Sequence, residues 1–247
     1  MSYANALITG ASSGLGRGLA LHFAAKGTRV YAAARRKEQL DSLQQEAKGT
    51  VVPLVLDVAN ADATHERVRA LDQECGGLDL VVANAGVGEM TPAKRIDWAV
   101  VSRVLDVNVS GAAATLVGAI PGMVSRGKGH LVGTSSLLAF MPAKRMAAYC
   151  ASKAFLAMFL DSLRLDLEPL GVKVTSLHPG FVKTDMTAKN KGGMPFLLEL
   201  DDAVAKMARA IEHQVPAYAF PWQLATALKT AQLMPRPLRM AAARRVM

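Results

Sequence analysis

The sequence predicts an α/β fold built on a parallel sheet, with its functional groups gathered at the carboxyl edge of the strands. Three features carry this expectation. A short apolar strand near the start runs into a glycine-rich turn and then a helical pattern. Further apolar runs recur between helix-length amphipathic segments, the spacing of β-α-β units. The chain has 247 residues, a length at which folds of this class commonly stay undivided, so one domain over 1-247 is expected.

Tyr3 to Thr9 is the first expected strand, followed by Gly10-Ala11-Ser12-Ser13-Gly14-Leu15-Gly16 and a helical pattern through Leu19, Ala20, Phe23 and Ala24. A strand, a glycine turn and a helix N-terminus make a phosphate site, because glycines admit the anion to the backbone while unpaired N–H groups and the helix dipole face it. The spacing G-x3-G-x-G departs from the commoner G-x-G-x-x-G and alone also fits an ordinary turn; its strand–turn–helix setting favours cofactor binding.

The second strand, Arg29 to Ala34, ends in Arg35-Arg36-Lys37. An acid at this point would accept the 2′-hydroxyl of NAD, whereas arginine accommodates a 2′-phosphate, so NADP is expected over NAD. The competing reading is a set of solvated charges at a helix start. A third strand, Val51 to Leu56, stops at Asp57-Val58, and a fourth, Leu78 to Ala83, at Asn84-Ala85-Gly86, with an amphipathic helix over 64–75 between them. Residues 92–118 read as a long helix containing Asn108. Leu131 to Thr134 is the fifth strand, running into Ser135-Ser136. In the next helical stretch Tyr149 and Lys153 stand at i and i+4, on one face, where the cation is expected to lower the tyrosine pKa into a usable range. Val172 to Leu177 is the sixth strand, followed by His178-Pro179-Gly180-Phe181-Val182-Lys183-Thr184.

Composition narrows the partners. The net charge is +9 and aromatic residues make up only 5%; no nucleic-acid-binding motif accompanies the charge, which a phosphate-rich cofactor and a basic tail explain. Cys75 and Cys150 form neither a disulfide framework nor a metal spacing, so no metal is expected and a reducing, cytoplasmic setting is. The sequence shows neither a secretory leader pattern nor about 18 uninterrupted apolar residues.

Taken together, Thr9-Gly10-x3-Gly14-x-Gly16, Asp57, Asn84-Ala85-Gly86, Asn108, Ser136, Tyr149-x3-Lys153 and Pro179-Gly180 resemble the short-chain dehydrogenases/reductases of the single-domain type, over about residues 4–190. The resemblance implies a Rossmann-like, doubly wound sheet with helices on both faces, a nicotinamide cofactor, and hydride exchange between an alcohol and a carbonyl. Carried over position by position, Tyr149 would be the general acid in reduction and Ser136, preferred to Ser135 on spacing, would bond the same oxygen. Lys153 would hold the nicotinamide ribose, and Asn108 a water in the proton relay. Ser12, Ser13 and Leu15 fall in the glycine turn; Asp57 and Val58 would contact adenine, Asn84, Ala85 and Gly86 line the adenosine side, and Val182 and Thr184 hold the carboxamide. Ala83 stands where many members have a further asparagine.

Past Asp185 the resemblance implies a substrate-covering loop, about 186-200, with Gly192-Gly193 permitting movement. Met186, Met194, Phe196 and Leu197, with Leu138, Phe140, Met141 and Met146 on the other wall, favour an apolar lipid, steroid-like or aromatic small-molecule substrate over a sugar. A surface helix is expected over 201–214. The tail, about 221-247, carries Lys229, Arg236, Arg239, Arg244 and Arg245 and no acid, with Pro235 and Pro237 breaking its helical pattern. Its apolar face either packs on the domain or on a second subunit of a homo-oligomer, dimer or tetramer, or docks weakly on anionic lipid. Two functions remain open: an NADPH-dependent carbonyl reductase or alcohol dehydrogenase, and a catalytically idle cofactor-binding protein, against which the intact Asn108, Ser136, Tyr149 and Lys153 set argues.

Overall fold

The computed structural model describes residues 3–188 and 193–246. Gly192 of the expected hinge pair lies outside them, as do the side chains of Arg244 and Arg245. Seven parallel strands form one sheet in the order β3-β2-β1-β4-β5-β6-β7: β1 Asn5–Thr9, β2 Arg29–Ala34, β3 Val51–Val55, β4 Leu80–Ala83, β5 Gly129–Thr134, β6 Val172–Pro179 and β7 Ala217–Phe220. The order reverses between β1 and β4, the switch point at which such folds bind ligands.

Alternation along the strands builds two cores. Ala6 and Ile8 of β1, with Leu80 and Val82 of β4, face the helices α1 (Gly14–Ala25), α2 (Lys37–Glu46) and, farther along the chain, Leu200–Glu212. Leu7 and Val81 face α3 (Ala61–Glu74), Ala112–Arg126 and Ala147–Leu167 on the opposite side. With both faces covered, the strands read as continuous apolar runs.

Three differences from the sequence reading have physical causes. The expected 92–118 helix is two helices, α4 (Trp98–Leu105) and α5 (Ala112–Arg126), joined by a π turn over Asp106–Gly111 that contains Asn108. By length and composition the whole stretch would suffice to cross a membrane, but half of its most apolar window is buried inside the protein, as in a core helix. β4 begins at Leu80 rather than Leu78, because the Leu78 N–H is taken by the Asp72 carboxylate (2.7 Å), itself gripped by both terminal nitrogens of Arg126 at 2.8 Å. The strand β7 has no counterpart in the sequence reading; it pairs with β6 after Gln214 turns the chain through a left-handed conformation (φ 51°).

The remaining helices are α6 (Ala147–Leu167), the single turn α7 (Asp185–Ala188), α8 (Leu200–Glu212), α9 (Trp222–Gln232) and α10 (Arg236–Val246). Pro237 does not break the tail: it is the second residue of α10, where a missing N–H costs nothing, and the interruption falls between Gln232 and Arg236. Ala225, Leu228 and Ala231 of α9 pack on Leu137 and Met141 of the same chain, with Phe140 against the cluster. Phe140 and Met141 thus serve this contact, and Trp222, Leu233 and Leu238 stay exposed.

Candidate active site

The site lies along the carboxyl ends of β1, β4, β5 and β6. At the first of these Gly10 takes a left-handed φ of 68°, and a β-carbon on Gly16 would run into the Gly10 carbonyl, so the turn closes only around glycine. Ser13 holds the N-cap of α1 without using its hydroxyl as the cap, leaving first-turn N–H groups for an anion. Arg36 reaches back over this turn, donating to Ser12 Oγ at 2.8 Å and Ser13 Oγ at 3.2 Å, while Arg35 is simply exposed and Lys37 pairs with Asp41 within α2 at 2.6 Å. One arginine, not two, is therefore brought to the glycine turn. These residues fit a dinucleotide phosphate, through glycine backbone, free helix donors and a cation beside two hydroxyls.

The turn is tied to β4 by Thr9, whose Oγ1 accepts from the Asn84 N–H (3.1 Å) and the Ala85 N–H (3.2 Å), while Asn84 Nδ2 donates to the Thr9 carbonyl (3.0 Å). Leu15 is half-buried within α1, packed against the core on that face. Asp57, exposed at the end of β3, accepts from the Ala59 N–H at 3.1 Å, and buried Val58 packs its carbonyl on Gly111. Thr184 comes to the other side of the turn, where its methyl would lie 3.5 Å from a β-carbon on Gly14. Val182 is buried and bridges Leu198, and Gly180 donates to the Phe220 carbonyl at 2.8 Å.

Deeper in, α6 brings Tyr149 and Lys153 beside the end of β5. The Ser136 hydroxyl is the side chain near enough to Tyr149 to pull its pKa down. Ser135, by contrast, turns its hydroxyl to the Lys153 carbonyl at 2.8 Å, which leaves Ser136 as the serine facing the tyrosine. Lys153, 4% exposed, donates to the Thr134 carbonyl at 2.7 Å, and its Nζ lies 5.8 Å from the Tyr149 ring centre. The expected lowering of the tyrosine pKa by this cation is not what the structure gives. Burial pushes Tyr149 above its ordinary value, partly offset by the neighbouring Ser136 hydroxyl, and burial likewise draws Lys153 down to about 8. Burial thus drives the two groups apart, the tyrosine upward and the lysine downward, each toward its neutral form.

Asn108 sits where the π turn faces the site. Its Oδ1 accepts from the Val87 N–H (2.8 Å), and its Nδ2 donates to the Val87 carbonyl (3.0 Å) and to Ser152 Oγ (3.0 Å), whose own hydroxyl donates to the Tyr149 carbonyl (2.8 Å). The amide is thus committed to protein partners, so Asn108 first of all fastens the loop after β4 to α6. Gly86 lies beside both groups: a β-carbon there would be 3.3 Å from Lys153 Nζ and 3.4 Å from Asn108 Oδ1. Met186 covers the outside, its sulfur 2.9 Å and Tyr149 Cε2 3.8 Å from the point where Gly88 would carry a β-carbon. The sequence reading missed Ser152, Thr9's hydroxyl and the π turn; each is a local polar detail with no spacing signal.

The chain matches the short chain dehydrogenase family over residues 4–194. It is 57% identical over 249 residues to an uncharacterized oxidoreductase of Myxococcus xanthus, covering 100% of this chain and 98% of the relative. Among solved structures it is similar to a short chain dehydrogenase from Burkholderia cenocepacia in complex with NADP, at TM-score 0.82 and 27% identity over 97% of each chain. It is also similar to a 3-ketoacyl-(acyl-carrier-protein) reductase from Brucella melitensis complexed with NADH, at TM-score 0.79 and 25% identity over 87% of this chain and 95% of that one. The protein is an oxidoreductase-type member of the short-chain dehydrogenase/reductase family.

Proposed function

We propose that the protein is an NADP(H)-dependent oxidoreductase that exchanges hydride between an alcohol and a carbonyl on an apolar small molecule. The observation that carries the reading is the meeting of Tyr149, Ser136 and Lys153 at the end of β5, in line with a glycine turn roofed by Arg36. A nicotinamide cofactor bound along this edge would supply or accept the hydride. In reduction, the Tyr149 hydroxyl gives its proton to the carbonyl oxygen while Ser136 bonds the same oxygen, stabilising the charge that develops there. Lys153 would hold the nicotinamide ribose, and its pKa of about 8 lets it change protonation near neutrality beside Tyr149. Asn108 supports the relay by holding the Val87 loop against α6.

Arg36 beside two serine hydroxyls supports preference for the 2′-phosphate of NADP(H). Apolar substrates are supported by Met186 over Tyr149 and by a groove of about 420 Å³ lined by Phe196, Leu197, Tyr218, Phe220, Pro221 and Trp222 beside Gly180. We also propose a homo-oligomer, because Phe155, Met158 and Leu165 of α6 are exposed along the helix. The deciding experiment is an NADPH-oxidation screen across ketones and aldehydes graded by size and polarity. Turnover concentrated on apolar carbonyls is expected, and turnover on none of them overturns the reading.

A further inference from the structure

His178 is a buried polar residue that neither hydride nor proton transfer uses. It is 4% exposed at the end of β6, immediately before Pro179-Gly180. Its Nε2 lies 2.8 Å from Ser176 Oγ and its Nδ1 3.4 Å from the Ser136 carbonyl. A carbonyl only accepts, so Nδ1 carries the proton; Nε2 of the neutral ring then accepts from the Ser176 hydroxyl. Burial holds the ring neutral, drawing its pKa down to about 4, so this tautomer is the resident one at ordinary pH. One face of the ring is stacked on Phe140, with centres 4.8 Å apart and planes inclined by 29°. On Phe140, in turn, lies Lys229 of α9, its Nζ 5.4 Å from the ring centre.

These contacts converge on the turn that presents Ser136. The Ser136 carbonyl also accepts from the Ala139 N–H (3.0 Å), and its Oγ accepts from the Leu138 N–H (3.1 Å) and lies 3.5 Å from the Pro179 carbonyl. Leu137 and Met141, on either side of Phe140, are packed under α9. Ser136 is therefore held from behind by the β6 end, while the residues that follow it, Leu137, Phe140 and Met141, are held by α9.

We infer that His178 is a positioning residue for Ser136, and that α9 reaches the active site through Phe140 and His178. The inference rests on the reading of Ser136 as the residue that bonds the substrate oxygen. Its action is on the angle at which the Ser136 hydroxyl meets that oxygen, not on cofactor binding, for none of its contacts touches the glycine turn.

The test is a mutant cycle on the full chain, with NADPH oxidation measured on the best ketone from the screen, NADPH affinity by fluorescence titration and folding by thermal melting. His178→Phe keeps the stack on Phe140 and removes both hydrogen bonds; it is expected to lower kcat about tenfold, the scale of one or two lost hydrogen bonds, with NADPH Kd within about twofold. His178→Asn, whose amide reaches the same carbonyl, should recover most of that loss. His178→Phe combined with Ser136→Ala should be no slower than Ser136→Ala alone, because a positioning residue has nothing left to position. A folded His178→Phe with kcat close to wild type, or losses that multiply in the double variant, overturns the inference while leaving the site reading intact. A folded Ser136→Ala with kcat close to wild type overturns the site reading and the inference with it. Should His178→Phe fail to fold, 15N NMR of the wild-type ring decides: a protonated Nδ1 together with the Asn variant's near-normal kcat supports the inference, and a protonated Nε2 overturns it.

Discussion

Tyr149 and Lys153 show how far a spacing carries. The i, i+4 relation placed both on one face of α6, but it gave no access to their surroundings, and burial shifts each pKa against its charged form. Tyr149→Phe keeps the ring and removes the proton; turnover is expected to fall at least about a hundredfold with NADPH affinity within a few-fold, and near-normal turnover in the folded variant would refute the acid's assignment. At the cofactor end, the two arginines expected to share a phosphate are not equivalent. Arg36→Ala should narrow the ratio of NADH to NADPH dissociation constants about tenfold, and Arg35→Ala should change it less; equal effects would undo the assignment. A third residue was silent in the sequence. His130 lies buried between Tyr3 and Thr175, each 2.8 Å from a ring nitrogen, and burial draws its pKa to about 3. The folded chain thus binds its proton later than the unfolded one, so the stability is whole above about pH 6.5 and drains as pH falls toward 3, at roughly 1.4 kcal/mol per unit. Melting temperatures measured between pH 7 and 4 should decline across that window; a flat profile would contradict it.

Among the elements, those with a period in their sequence were legible and those defined by a single bond were not. The strands β1 to β6 and the helices around them follow from apolar runs and amphipathic spacing. The start of β4 was misplaced because Leu78 is as apolar as its successors, and only the Asp72–Arg126 clamp on its N–H removes it from the ladder. The strand β7 is four residues long, too short to show alternation, and owes its place to pairing with β6. The glycine turn is the element whose geometry the sequence stated most plainly. Gly16→Ala would push a methyl into the Gly10 carbonyl; a folded variant with NADPH affinity reduced at least about tenfold is the expected outcome, and unchanged affinity would show that the cofactor binds elsewhere.

Across the whole molecule, the two cores on either side of the sheet leave the C-terminal helices as a third layer that seals the end nearest the site. Truncation after Phe220 would bare Leu137 and Met141, and a lowered melting temperature with loss of turnover is expected. A shortened protein as stable and active as the full chain would show that the layer is dispensable. If the exposed Trp222, Leu233 and Leu238 instead serve a lipid surface, full-length protein must sediment with anionic vesicles at low salt and lose this on truncation. The π turn between α4 and α5 carries a larger consequence. Such a turn is an α-helix holding one surplus residue, and one residue is about 100° of rotation about a helix axis. Deleting a single residue between Val107 and Gly111 would let the two helices run on as one regular rod with its far half close to its present phase, because the wide turn winds less per residue than an α turn and has already absorbed the surplus one. Leu116, Ala119 and Met123 would keep their seat on the sheet, while Asn108 would lose the wide turn that aims it, so the surplus residue serves the site alone and leaves the helical layer in step with the strands beneath it.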